Sequence, residues 1–481
     1  MAKKIFLALL MSCLALFASA SNYLTFTAEE DSSSFCIENM NNNPNIEYSL
    51  DDGETWTLLE ADEKEGISEY VILGKKGDKA LLRGYNPNGF SVSKFESHEL
   101  FDHYTVFNMR GKIAASGSVM SLIDGIGECK TIPSDYCFYC LFVGCESLTQ
   151  APELPATTLA DNCYDAMFNS CTSLTQAPAL PAMDLARSCY SGMFEYCESL
   201  IQAPELPATT LAEYCYSEMF DGCTNLVQAP ELPATTLADN CYLSMFWECT
   251  SLTQAPALPA TTLAKSCYSN MFADCTNLVQ APALPATTLA EYCYSYMFNR
   301  CTSLVQAPAL PATTLAEYCY SNMFNGCTSL VQAPELPAME LADCCYKLMF
   351  QNCRNLQKIK VGFDSWRGLM YSWVEYVAHT GTFYCPKGLP IKYGIDRIPA
   401  VWNVEYIDDG ADVAEHISDA SFNAWGVDGK ITYIGATMPV EIYDLGGRLV
   451  KKVKGKSQSV VVPQHGIYVV KSGNVSLKVE L

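Results

Sequence analysis

Leu159, Cys163, Met167 and Cys171 fall at i, i+4, i+8 and i+12, and Ala160, Tyr164 and Phe168 lie on the adjoining row. At helical spacing this is one apolar face, which predicts a helix of about three turns over 159–171. Thr158 stands before it with Asp161 three residues on, a capping-box arrangement repeated at Thr210/Glu213, Thr236/Asp239, Thr288/Glu291 and Thr314/Glu317. Ser173–Ala177 suits a short strand, and Pro178 and Pro181 then end pairing and turn the chain. The whole pattern recurs with cysteine pairs at 137/145, 163/171, 189/197, 215/223, 241/249, 267/275, 293/301, 319/327 and 345/353, a period of 26 without insertion. Fixed-period self-similarity predicts a stacked solenoid in which each coil buries its apolar side against its neighbours. The expected fold is therefore an α/β solenoid of 26-residue coils, strand plus helix, over 119–357, with Cys163, Met167, Phe168, Cys171 and Leu174 in its core.

The flanks follow another rhythm. Residues 21–118 alternate apolar and polar in short runs such as 23–27 and 70–73, which predicts a small β-sandwich. Beyond Leu356 the repeat pattern fades into aromatics, Phe363, Trp366, Tyr371, Trp373, Tyr376, Phe383 and Tyr384. A solenoid end needs its last apolar coil covered, so 358–408 is expected to be a cap rather than a sugar-stacking platform. Residues 409–427, entered through the acidic 408–412, read as a linker, and 428–481 alternates again as a second small β-sandwich.

Cysteine content raises the question of chemistry. On one helix Cys163 and Cys171 would lie roughly 12 Å apart, and packed helices in successive coils about 8–10 Å, against about 4.4–6.8 Å between the Cα atoms of a disulfide. No histidine occurs in the nine coils, so a zinc cluster lacks its usual partners. The repeat cysteines are expected to be small buried core residues, with Cys137/Cys140 and Cys344/Cys345 as candidates for bridges at the stack ends. The five histidines, His98, His103, His379, His416 and His465, stand outside any catalytic motif. Neither catalysis nor a cofactor is expected.

The first twenty residues join Lys3 and Lys4 to an apolar run ending Ala18-Ser19-Ala20, the pattern of a secretory signal cleaved after Ala20. The competing reading, acylation at Cys13, fits less well because Met11 and the apolar residues after Cys13 depart from that signal. Removing two lysines and no acid takes the formal charge from -23 to -25. Such a balance argues against nucleic acid or an anionic membrane surface as partner, and no later stretch predicts a membrane span.

The string Met219 to Pro230, with its Phe-x-x-Cys-x-x-Leu core also at Phe168, Cys171 and Leu174, resembles the BspA-like leucine-rich repeats of bacterial surface proteins. The resemblance covers 137 to about 357 and departs in the added APxLPA turn and in the first cysteine of each coil. It implies a curved, exported, non-catalytic solenoid used for attachment. The tail's IYDLGGRLV, GIY and terminal KVEL elements resemble the C-terminal sorting domain of type IX secretion substrates of Bacteroidetes. From 441 onward that tail holds seven lysines and arginines against three acids. Residues 49–56, SLDDGETW, look like the Asp-box of sialidases, a hairpin turn remote from their chemistry; one copy in so short a segment argues for a turn and against that activity.

A binding surface is the remaining expectation. Gln150, Gln176, Gln202, Gln228, Gln254, Gln280, Gln306 and Gln332 form one unbroken column, either an internal ladder or a uniform outer face suited to a repetitive ligand such as a polysaccharide. Variability concentrates at 166, 169 and 170 and their equivalents, where Tyr196, Trp247 and Tyr296 appear singly, and this face is expected to contact an extracellular protein. A spacer that displays another protein is the third possibility.

Overall fold

The computed structural model describes residues 22–407 apart from 39–43, 62–65 and 92–103, and residues 423–480 apart from 428–429, 435, 437, 445–447, 455–457, 463–466 and 473–474. The expected signal sequence, residues 409–422 of the linker expected at 409–427, and His98, His103, His416 and His465 lie outside the described residues. The remainder of that expected linker, 423–427, is instead a strand paired with Lys430–Ile434.

Eight strands precede the repeats: β1 (Leu24–Ala28), β2 (Ser33–Glu38), β3 (Glu47–Ser49), β4 (Thr57–Leu58), β5 (Val71–Leu73), β6 (Lys79–Arg83), β7 (Val106–Arg110) and β8 (Ile113–Ser116). Their alternating burial, as in β1 and β6, places one face inward. The strands order as β4-β3-β6-β1-β8 in one sheet and β5-β2-β7 in the other. The sheets meet where Phe26 packs edge-on against Phe35 and Phe107, with ring centroids 4.9 and 5.1 Å apart. Between β3 and β4 the Asp-box-like residues form a turn. Asp51 accepts the backbone N–H of Thr55 at 2.9 Å and the hydroxyl of Ser49 at 2.7 Å, and the Trp56 indole donates to the Gly53 carbonyl at 3.1 Å. Foremost the Thr55 hydroxyl, which donates to the other Asp51 oxygen at 2.5 Å, then the Thr55 N–H and the Ser49 hydroxyl, hold the Asp51 carboxyl down to about 2.

The coils hold no helix. The α-helix among the described residues is α1 (Ser121–Asp124), and 161–170 is a succession of turns. Within it the amides alternate between two kinds of partner. Cys163, Asp165, Met167, Asn169 and Cys171 donate to the carbonyl three residues back. Asn162, Tyr164, Ala166, Phe168 and Ser170 donate instead to Arg187, Cys189, Ser191, Met193 and Glu195 of the next coil, at 2.7–3.1 Å. The chain must twist every fourth residue to do this, and Asn162, Ala166 and Ser170 take φ of 54, 52 and 61°. The equivalents of these three positions are left-handed in every coil from Tyr136 to Asn352. Non-glycine residues pay roughly 1–2 kcal/mol for such a conformation. Burying a Leu, Met or Phe side chain contributes about 1.5–3 kcal/mol, and each coil buries several.

The apolar rows therefore follow a strict period of four. An α-helix advances about 100° per residue, so rows four apart would drift about 40° per step, and Cys171 would sit about 120° away from Leu159. With a left-handed residue every fourth position the drift vanishes, and Cys163, Tyr164, Met167, Phe168 and Cys171 all point inward. Thr158 caps nothing; it forms parallel bridges with Thr131 and Asp184 of the coils on either side. The expected strand at 173–177 is reduced to single parallel bridges such as Gln176 to Gln202, with full strands at β9 (Leu148–Gln150), which extends the first sheet beside β8, and β10 (Gln332–Leu336).

Coils joined by backbone hydrogen bonds sit closer than packed helices. The inward rings record the spacing: Tyr164 stacks on Tyr190 at 5.9 Å and Phe168 on Phe194 at 5.7 Å. The expected interhelical separation of about 8–10 Å is overturned, and with it the distance argument against bridges between coils. The 23 cysteines outside residues 1–21 are nonetheless free thiols, Cys137, Cys140, Cys344 and Cys345 included. The second cysteine of each coil has a defined task. Cys171, Cys197 and Cys223 donate S–H to the carbonyls of Phe142, Phe168 and Phe194 in the preceding coil, each at 3.1 Å. Burial pushes these thiols up, that of Cys197 to about 12.

The stack continues past Leu356. β10, β11 (Lys358–Val361), β12 (Thr382–Pro386) and β13 (Asn403–Ile407) follow one another in a single sheet, with β10 to β12 pairing in parallel. The cap expected at 358–408 is thus built as further, shorter coils. Trp373 closes the Tyr and Phe columns together, 6.4 Å from Tyr346 and 6.1 Å from Phe350, and its indole donates to the Arg397 carbonyl at 2.8 Å. Trp366 and Phe383 join this interior, whereas Tyr371 and Tyr376 are exposed. One apolar cluster runs from Leu24 to Trp402, so 118/119 and 357/358 do not divide separate cores.

The chain from Tyr406 is a second compact unit. It has one sheet of β14 (Asn423–Val427), β15 (Lys430–Ile434) and β18 (Gln458–Val461), and another ordered β17 (Leu449–Val453), β16 (Val440–Asp444), β19 (Ile467–Ser472), β20 (Val475–Glu480). Pairing is antiparallel, around Ile431, Tyr433, Val440, Ile442 and Val470.

Two outcomes follow from the coil geometry. Ser266 is left-handed at φ 50°; Ser266→Gly should leave stability unchanged or raise it by up to about 1 kcal/mol, whereas Ser266→Val should lower it by more than about 1 kcal/mol. Urea unfolding measures both, and equal effects would contradict the left-handed assignment. A thiol reagent added to the native protein should modify Cys129, the one incompletely buried cysteine among the described residues, and reach the rest at the rate of unfolding.

Candidate functional site

The stack offers two contrasting faces. On the first, the Gln column is exposed throughout, and successive members such as Gln202 and Gln228 bridge through their backbones. The column is therefore an outer face, which resolves the alternative of an internal ladder. Beside it runs a second exposed row, Ile201, Val227, Val279, Val305 and Val331. Shallow depressions of about 440 and 510 Å³ lie between the Gln and Pro columns, one at Gln228–Pro233 with Gln254–Pro259, the other at Thr149–Pro155 with Thr175–Pro181.

The second face is set by the left-handed turns. Position 170 and its equivalents, and position 166 and its equivalents, are left-handed. The first column is exposed at Tyr196, Glu248 and Arg300, whereas the second is exposed at Tyr296 and buried at Cys140, Ser244 and Asn322. Tyr196 occupies the first of these columns and Tyr296 the second, and Trp247 stands at the equivalent of 169; they are 45, 39 and 37% exposed. The three rings lie in alternate coils. The variable columns thus reach the surface at Tyr196, Trp247 and Tyr296 and are buried at Asp221, Ser244 and Asn322. The core residues Cys163, Met167, Phe168, Cys171 and Leu174 are buried beneath.

Sequence reasoning passed over an acidic group on this second face. Asp165, Glu195, Glu218, Asp221 and Glu248 come from coils two to five at equivalents of 165, 166, 169 and 170, and no lysine or arginine occupies those four columns in those coils. Asp221 is only 6% exposed. Burial chiefly, then Glu195, Glu218 and Glu248, push its carboxyl up to about 7, against one backbone N–H from Gly222. Burial and Glu218 push Glu195 up to about 7, and burial with Glu218 and Glu195 takes Asp165 to about 8. Adding 26 to successive positions would have found the cluster; burial and the lack of a cation required the fold. Among the described residues no group of His, Cys, Asp and Glu has the arrangement to hold a metal ion, and His379 is exposed.

These shifts carry a stability cost with a definite window. An acid raised from 3.8 to about 7 costs nothing below pH 4, where folded and unfolded chains both hold the proton. As pH rises the unfolded chain ionises first, so stability falls through pH 7 and then levels. Asp221→Asn should leave the melting temperature unchanged near pH 4 and raise stability at pH 8 by on the order of 1–3 kcal/mol. A shift of equal size at both pH values in thermal unfolding would contradict this assignment.

No curated protein matches the chain. The model of the BspA type leucine rich repeat region matches it with six copies, over residues 130–279, 187–331 and 243–365. In the described residues no helix is long and apolar enough to cross a membrane. The matched residues are those whose amides, rings and thiols bond from coil to coil, and they support a BspA-like leucine-rich-repeat protein.

Proposed function

We propose that this chain is an exported, non-catalytic binding protein that attaches to an extracellular protein through the left-handed face of its solenoid. The observation that carries the reading is the placement of Tyr196, Trp247 and Tyr296, exposed in alternate coils on positions whose identity the core does not constrain. Large rigid aromatics on a preorganised surface supply contact area at low entropic cost. Leucine-rich repeats of this type suggest protein interaction or adhesion. Export rests on the pattern of residues 1–20, and a sorting role for the C-terminal unit on its IYDLGGRLV, GIY and KVEL elements.

A second reading, capture of a polysaccharide along the Gln face, is favoured by one observation. That face repeats the same exposed amide in every coil and carries shallow depressions beside it. A display spacer is the reading left if neither face binds.

The chain from residue 22, presented to arrays of extracellular matrix proteins and of glycans, should bind protein. Replacing Tyr196, Trp247 and Tyr296 together with serine should weaken that binding by at least about tenfold, a loss typical of aromatic anchors. Retention of protein binding by the triple variant, or binding to glycans alone, would overturn the assignment to the left-handed face.

A further inference from the structure

The Gln face is less uniform than its glutamines. The position three beyond each of them reads Glu153, Ala179, Glu205, Glu231, Ala257, Ala283, Ala309 and Glu335, exposed in every coil. Glutamate gives way to alanine twice, from 153 to 179 and from 231 to 257, and the two depressions lie at these two steps. A long side chain walls one side of each, and a methyl group on the next coil leaves the space open. The backbone marks the same places. Parallel bridges join Gln176 to Gln202 to Gln228 and Gln254 to Gln280 to Gln306, and among the described residues none joins Gln228 to Gln254. Gln150 lies on β9, which ends its sheet at the other hollow.

Both hollows hold one set of groups. Two exposed Gln amides stand at the edge, a carboxylate forms the wall, and alanine and proline pave the floor. An amide donates and accepts hydrogen bonds, whereas a carboxylate only accepts. No lysine, arginine or histidine lines either hollow. The Asn22 amide donates to Glu153 at 2.7 Å and so steadies one of the two walls. Such a set fits a neutral sugar: hydroxyls donate to the carboxylate and exchange hydrogen bonds with the amides, while the C–H face lies on the apolar floor. An anionic sugar would meet the wall carboxylate and a chain of formal charge -23. Hollows of about 440 and 510 Å³ have the size of small-ligand sites but are shallow, so a single sugar is held weakly. The two stand three coils apart, roughly 15 Å at the ~4.8 Å separation of paired strands, and one polymer that fills both gains from the link.

We propose that a neutral polysaccharide lies along the Gln face and seats one sugar in each hollow, against Glu153 and Gln176 in the first and Glu231 and Gln254 in the second. The inference rests on the Gln-face reading and gives it its subsites and the charge class of its ligand. It is separate from the protein contact at Tyr196, Trp247 and Tyr296.

The test is affinity gel electrophoresis of the chain from residue 22 in gels containing soluble dextran, mannan, arabinoxylan, mixed-linkage β-glucan or polygalacturonate. At least one neutral polymer should retard the chain, and polygalacturonate should not. Ala179→Glu combined with Ala257→Glu fills both hollows with the side chain that Glu205 and Glu335 already place in that column, and should raise the apparent Kd by at least about tenfold. Ala283→Glu with Ala309→Glu adds the same charge to the same column away from the hollows and should leave the Kd unchanged. Thermal unfolding confirms that both double variants are folded. Equal weakening by the two pairs, an unchanged Kd in the filled variant, or retardation by polygalacturonate alone would overturn the proposal. If a neutral polymer retards all three proteins equally, the hollows fall and the Gln-face reading stands; if none retards the chain, both fall.

Discussion

Everything in the repeat depends on where the amide of every second residue goes. Tyr164, Ala166, Phe168 and Ser170 send their N–H groups to the next coil, and the residues between them bond three back. Buried backbone donors must be satisfied, and this division satisfies each of them without a helix. It also ties each coil to its neighbour at sheet-like separation, which is why the interior is built of stacked rings rather than interdigitating helices. Tyr and Phe columns run through the stack at 5.4–6.1 Å until Trp373 closes both. The second cysteine fits the same scheme, being small enough for the column and able to donate S–H to the carbonyl of the coil before.

The left-handed residues that this bonding demands also create the surface. Some of them, Tyr196, Glu248, Tyr296 and Arg300, carry exposed side chains, while others such as Cys140, Ser188, Ser244 and Asn322 are buried and small. Invariant inward rows and variable left-handed ones are thereby separated within one coil. Gly222 is the exception that supports the rule, since its lack of a side chain makes room for Tyr196 of the preceding coil. The acidic cluster beside it is sustained at the expense of stability above pH 4.

The ends show how the stack is stopped. At the start, β8 hands its edge to β9, and the Phe107 ring stacks on Phe142 at 5.2 Å, so the N-terminal sheets share the solenoid's core. At the finish, shorter coils carry tryptophans whose indoles each reach a backbone carbonyl 24 residues away: Trp366 to Pro390, Trp373 to Arg397, Trp402 to Ala378. The aromatic run after Leu356 therefore marked a cap in purpose, while its construction as further coils was hidden by the change of period.

The sequence by itself determined the period of 26, which residues face inward, the outward Tyr196, Trp247 and Tyr296, and the aspartate-closed turn at Asp51. Each of these follows from local spacing or composition. Only the tertiary structure decided that the apolar face is a left-handed turn ribbon. Periods of four and 3.6 place the same residues on one side over a short stretch, and the choice lies with amide partners 25 residues away. The same holds for Asp221: its column could be counted along the chain, but its burial and unpaired charge exist only once the coils are stacked.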